Sequence, residues 1–238
     1  VDLGQVGGLR ELVASVKPTI LLNPAAYTNV DKAEEEPELA HQVNAVAPGV
    51  LAEEMKKLGG ALIHYSTDYE FDGTKGSSYI DTDQPNPINV YGVSKLAGEQ
   101  AVQSAGGIAL TFRTSWVYSL RVGGFVNKVL AWARQQEVMR IVDDQIGSPT
   151  WARMLAEATA QVIARGGDDP WGYLDQLSGL YHLAGAGAAS RFDWAREGID
   201  RDPKKAQQAL KLGALDETAA NLEKAVQAAD VVILCVPL

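Results

Sequence analysis

Tyr91 and Lys95 stand four residues apart in INVYGVSKLAGEQ (88–100), where a helix is predicted to open. That spacing puts both side chains on one helical face, so the ammonium can approach the phenol oxygen. A close cation favours the phenolate and lowers a pKa that ordinarily lies near ~10. The phenol then becomes a proton donor for an alkoxide near neutral pH. The spacing alone has a plainer explanation, an exposed helical tyrosine beside a solvated lysine. Thr67 adds context. It closes an apolar run in HYSTDYEFDG, at the carboxyl edge of a predicted strand, where ligands of open α/β sheets bind. A hydroxyl there can orient a substrate carbonyl while Tyr91 supplies the proton and a dihydropyridine cofactor the hydride.

The elements that must position these residues alternate in type. Apolar runs at 18–27, 59–69, 106–118 and 139–144 suit buried parallel strands. Between the first two, Leu39, Val43, Val46, Val50, Leu51, Met55 and Leu58 recur at steps of three and four and form one helical stripe, which Pro48 is expected to split or kink. Helical patterns also follow Tyr91, Gly124 and Thr150. Repeated strand–helix units predict an α/β fold with a parallel sheet. Gly4, Gly7 and Gly8 have no strand ahead of them, so they read as a loop entering a helix rather than a phosphate-binding turn.

With 238 residues, 46% of them hydrophobic, the chain can bury a substantial core. A net charge of −9 and the lack of a basic run argue against a nucleic-acid partner. The single cysteine, Cys235, has nothing to pair with in the chain, and no apolar run approaches the ~18 residues of a membrane span. Both features lead us to expect a cytoplasmic protein with no membrane partner. His41, His64 and His182 are scattered without ligand spacing, so no metal site is expected.

NPAAYTNVDKAE, HYSTDYEFDG, NPINVYGVSKLAGEQ, RTSWVY, VDDQIGSPTWA and YHLAG, in that order, resemble the dTDP-4-dehydrorhamnose reductase family. These are extended short-chain dehydrogenases/reductases with a Rossmann sheet. The resemblance covers residues 1–196. It implies a Rossmann-like doubly wound parallel sheet with a partial substrate lobe, and Thr67, Tyr91 and Lys95 as the catalytic triad. It places Asp2, Leu3, Ala25, Ala26 and Thr28, with Tyr91 and Lys95, beside the cofactor, expected to be NADPH with NADH as the alternative. Val30, Tyr69 and Trp116 match positions facing a nucleotide-sugar substrate. The implied reaction reduces the 4-keto group of dTDP-4-dehydro-L-rhamnose to dTDP-L-rhamnose. A homodimer is one assembly open to the chain.

The departures carry expectations too. The family's first strand, glycine-rich turn and first helix have no counterpart here, so the sheet is expected to be N-terminally truncated and cofactor affinity reduced. Glu70 stands in the TDYEF segment where the family usually has an apolar residue, which brings a carboxylate close to the site. Residues 197–238 are expected to form a separate βαβ-like appendage, and from 198 onward they resemble a fragment of prephenate or arogenate dehydrogenase. Asp200 there matches a ribose-binding acid, and equally suits a helix cap. The alternative to an enzyme is a non-catalytic binding subunit, since the regulatory subunit of methionine adenosyltransferase resembles the same reductases.

Overall fold

A computed structural model describes residues 2–119, 124–135 and 138–197. In chain order, α1 (Val6–Val16) leads to β1 (Ile20–Asn23), then to two short helices, α2 (Val30–Glu35) and α3 (Pro37–His41). A π-turn, Gln42–Val46, joins α3 to α4 (Ala47–Leu58). β2 (Ala61–Thr67) runs into a 3-10 turn, Asp68–Glu70, followed by α5 (Val90–Ala105) and β3 (Ile108–Thr114). Next come β4 (Val117–Tyr118), α6 (Phe125–Gln135), β5 (Ile146–Gly147), β6 (Thr150–Trp151) and α7 (Ala152–Ala164). The last elements are α8 (Pro170–Gln176), β7 (Gly179–His182), β8 (Ala189–Ser190) and α9 (Arg191–Glu197).

The chain divides into two compact units, Val1–Ser115 with Met154–Ala184, and Trp116–Arg153 with Gly185–Leu238. In the first, β1-β2-β3-β7 form an all-parallel sheet. Side chains on β2 alternate between its faces. Leu62 packs with Leu9, Val13, Leu51, Met55 and Val102 from α1, α4 and α5. Ala61 and Ile63 pack with Leu110, Phe112 and Leu174 on the opposite face. Covered on both faces, β2 opens on the apolar Ala61, Leu62 and Ile63 and closes on the buried polar His64, Ser66 and Thr67.

Three of the four expected strands lie inside their predicted runs. The fourth does not: 139–144 forms no strand, and Val142 is half exposed. The fourth sheet position belongs to β7, pairing Leu110 with Gly179 and Arg113 with His182. Its four residues are mostly exposed, so they carry no long apolar signature.

The helical stripe at 39–58 is real, and its irregularity is the π-turn upstream of Pro48. Proline has no N–H to give the Asn44 carbonyl four residues back, and the wider turn absorbs the mismatch. In the second unit, β4 pairs with β6 and β5 with β8. Trp194 stacks on Trp116 and Phe125 at centroid distances of 5.5 and 5.0 Å. No described helix is long and apolar enough to cross a membrane. The appendage expected from 197, with Asp200 and Cys235, lies beyond Glu197 and so outside the described residues.

Candidate active site

Parallel pairing of β1, β2 and β3 brings their carboxyl ends to one edge, with Asn23 beside His64 and Thr67 beside Thr114. The loop carrying Ala25, Ala26 and Thr28 leaves that edge from β1, and Ala25 and Thr28 are exposed. Thr67 ends β2 and accepts a hydrogen bond from Tyr69 N at 3.2 Å, which starts the 3-10 turn. Asp68 in that turn accepts from Ser115 Oγ at 2.6 Å.

Helix α5 opens where expected. Asn89 caps it, its side chain accepting from Gly92 N at 2.7 Å, and this places Tyr91 and Lys95 in the first two turns. Gly92 and Gly98 let the helix come close. A Cβ on Gly92 would lie 2.2 Å from Tyr69 O, and one on Gly98 2.1 Å from Asn44 O. Tyr91 meets Tyr69 edge-on at 5.5 Å and packs with Ala33, Ala40, Tyr27 and Val30. Tyr91, Val30 and Tyr69 therefore come together as expected. Trp116 belongs to the second unit, where the Arg191 guanidinium lies 3.7 Å from its ring centroid.

The Thr67 hydroxyl, which donates to Asp68 Oδ1 at 3.3 Å, also favours the ionised form of the Tyr91 phenol. The electrostatics of Tyr91 differ from the expectation. Its pKa is pushed up to about 12, not down, chiefly because burial removes water from the phenolate. The Thr67 hydroxyl opposes the rise, while Asp68, Tyr69 and Glu70 add to it. Lys95 is 1% exposed, and its Nζ donates to Tyr65 O at 2.6 Å. Burial brings its pKa down to about 8 against the opposing pull of Glu70 and Glu99. The ammonium is thus held by a backbone carbonyl of β2, and the phenol stays neutral.

Sequence reasoning passed over Asn44. It is fully buried on the π-turn, accepts from Tyr27 N at 2.8 Å, and donates to Tyr27 O and to Ser94 Oγ at 3.0 Å each. Ser94 in turn donates to Tyr91 O. Asn44 thereby ties the Ala25–Thr28 loop to the helix that carries Tyr91 and Lys95.

Asp2 and Leu3 have local roles. Asp2 Oδ1 accepts from Gly4 N at 2.8 Å, and Leu3 packs against the Leu9–Val13 core. Gly7 and Gly8 lie inside α1, not in a turn ahead of it.

The family model for the RmlD substrate binding domain matches residues 1–230. The chain belongs to the RmlD substrate binding domain family. Within reach of this family are two curated relatives named dTDP-4-dehydrorhamnose reductase. The one from Burkholderia thailandensis is 48% identical over 189 residues, 79% of this chain and 63% of the relative. The one from Escherichia coli K12 is 39% identical over 215 residues, 90% of this chain and 70% of the relative. The chain thus spans about two thirds of the length of the curated relatives it matches. Among solved structures, the Bacillus anthracis dTDP-4-dehydrorhamnose reductase in complex with NADP superposes with a TM-score of 0.74 at 33% identity. That match covers 83% of this chain and 67% of the other. The family membership and the Rossmann-like sheet agree with the motifs read from the sequence.

Proposed function

We propose that this chain carries the catalytic pair of an NADPH-dependent reductase acting on the 4-keto group of dTDP-4-dehydro-L-rhamnose. The observation that supports it most is that Thr67 ends β2 at the carboxyl edge of the sheet while Tyr91 and Lys95 are buried in the first two turns of α5. The donor set suits the nicotinamide end of the cofactor. Tyr91 and Lys95 offer hydroxyl and ammonium donors for ribose hydroxyls, and the small side chains of Ala25 and Ala26 leave room at the strand edge. When bound, NADPH supplies the hydride.

The chain's own residues do the rest. Thr67 donates to the ketone oxygen and orients it, and Tyr91 gives its proton to that oxygen as negative charge develops there. A phenol held neutral, as burial holds this one, is in the protonation state that a donor requires. Lys95 stabilises the phenolate left behind. Val30 and Tyr69 pack beside Tyr91 and are assigned to the sugar nucleotide. By resemblance Asp2 and Leu3 join Ala25, Ala26 and Thr28 on the cofactor.

A second reading, a non-catalytic nucleotide-binding subunit, is favoured by the raised Tyr91 pKa, which leaves the phenol a weak acid until a ligand changes its surroundings. NADPH fluorescence titration followed by NADPH oxidation with dTDP-4-dehydro-L-rhamnose separates the two. Turnover that falls at least ~100-fold in Tyr91→Phe, with folding and NADPH binding intact, supports the reductase. Binding without turnover in the unaltered chain supports the subunit.

A further inference from the structure

Thr67 and Tyr91 sit on different elements, the end of β2 and the first turn of α5, so a reaction that uses both depends on what fixes one element against the other. Their backbones come close, since a Cβ on Gly92 would lie 2.2 Å from Tyr69 O. Such contact limits how near the helix approaches the turn, but does not stop one from sliding along the other.

Arg113 reaches both. It stands on β3 opposite Ser66 of β2 and is buried. Its Nε and Nη2 donate to the two oxygens of Glu99 at 2.9 and 2.7 Å, a forked contact with α5 one helical turn beyond Lys95. Nη2 also lies 2.8 Å from Oε2 of Glu70, the last residue of the turn after Thr67. The guanidinium carbon is 5.2 Å from the ring centroid of Phe71, next along the chain. Glu70 is 0% exposed, so the carboxylate expected near the site is turned into the interior instead. Ser66 Oγ donates to its Oε1 at 2.5 Å, and Asn86 N donates to its backbone carbonyl at 2.8 Å. Two residues after Arg113, Ser115 Oγ donates to Asp68 Oδ2 at 2.6 Å, so the end of β3 ties the turn at two points.

One guanidinium carries one positive charge, and the forked contact gives it to Glu99. Burial, with Glu99 adding to it, raises the Glu70 pKa to about 9, so at neutral pH Glu70 meets Arg113 as an uncharged carboxyl. Replacing buried groups of this kind by apolar residues of similar volume is often neutral or stabilising, so stability accounts for them poorly and fixed geometry accounts for them better.

We propose that Arg113 is a positioning residue whose guanidinium clamps the Asp68–Glu70 turn, through Glu70, to helix α5, through Glu99, and so sets the placement of Thr67 relative to Tyr91 and Lys95. The role rests on the reductase reading of those three residues. Lysine cannot take it over, because an ammonium is a point charge on a flexible stem and cannot hold Glu99 in a fork while meeting Glu70.

Arg113→Lys and Glu70→Ala each open the clamp. Glu70→Gln keeps its shape, since the amide can meet both Ser66 and Arg113. In the full chain with NADPH and dTDP-4-dehydro-L-rhamnose, kcat is expected to fall ~10-fold or more in Arg113→Lys and Glu70→Ala while KM for the sugar nucleotide stays within about twofold, and Glu70→Gln should restore most of what Glu70→Ala loses. A second readout needs no turnover. With ring-labelled carbon-13 tyrosine, the Tyr91 NMR signal, identified by its loss in Tyr91→Phe, should shift in the first two variants and return in Glu70→Gln, because Tyr69 on the clamped turn meets that ring edge-on at 5.5 Å. If Arg113→Lys does not fold, the two Glu70 variants carry the test. Unchanged kcat with an unmoved Tyr91 signal in the folded clamp variants overturns the proposal, because a purely structural clamp would lower the unfolding midpoint and leave both in place. A displaced signal in a chain that reduces nothing upholds the clamp and sinks the reductase reading.

Discussion

A lysine with 1% of its surface exposed is an expensive place for a charge, and Lys95 shows it. Lowering its pKa from 10.5 to about 8 corresponds to a penalty on the ammonium of about 3 kcal/mol. Because the folded pKa is depressed, the penalty is full below pH 8 and is relieved as pH rises from 8 to 10.5. Lys95→Met removes it at the loss of one hydrogen bond to Tyr65 O. We expect that variant to be more stable by about 1–2 kcal/mol at pH 7 in urea unfolding, with the advantage shrinking above pH 8, and to have lost turnover. A stabilised variant that still turns over would remove Lys95 from the site. Both Tyr91 and Lys95 were legible from type and spacing. The direction of the Tyr91 pKa was not, because spacing says nothing about how much water reaches a side chain.

Helix α5 holds the site together as an element. Its approach to the π-turn and to the turn after β2 depends on two missing side chains. Gly98→Ala would drive a methyl group to 2.1 Å from Asn44 O, and Gly92→Ala would drive one to 2.2 Å from Tyr69 O. Both obstacles are backbone, which cannot rotate away. Each variant should lose about 2–3 kcal/mol of stability, measured by denaturant midpoint. Gly98→Ala should also lower NADPH affinity, since it pushes on the residue that anchors the Tyr27 backbone. The helix itself was readable as a local pattern. That Asn44, far away in sequence, fastens it to the cofactor loop was not readable, because hydrogen bonds across 50 positions follow from how elements pack.

At the scale of the whole molecule, buried titratable groups oppose one another as pH changes. His64 is fully buried, with Nδ1 bonded to the Asn23 amide at 3.1 Å and Nε2 without a partner. Burial and the Lys95 charge hold its pKa well below 6.5. The unfolded chain therefore takes up a proton below pH 6.5 that the native chain refuses, and stability falls as pH falls through that window. Glu70 has the opposite sign. Its raised pKa lets the native chain keep a proton that the unfolded chain loses above 4.5, so its contribution declines as pH rises. Thermal unfolding from pH 5 to 9 should show Glu70→Gln gaining on the unaltered chain as pH rises. In His64→Asn the acid-side decline should flatten.

What the sequence determined by itself was everything expressed locally: the parallel α/β class, three strands of the sheet, the helix opening at Tyr91, and the Thr67, Tyr91 and Lys95 motif of the family. Such features are carried by residue periodicity and by short spacings within one element. The tertiary structure alone decided that β7 takes the fourth sheet position, that a π-turn absorbs Pro48, and that Arg113 pairs with both Glu70 and Glu99 in the interior. Those outcomes depend on which surfaces exclude water together, a property that distant residues acquire only once the chain has folded.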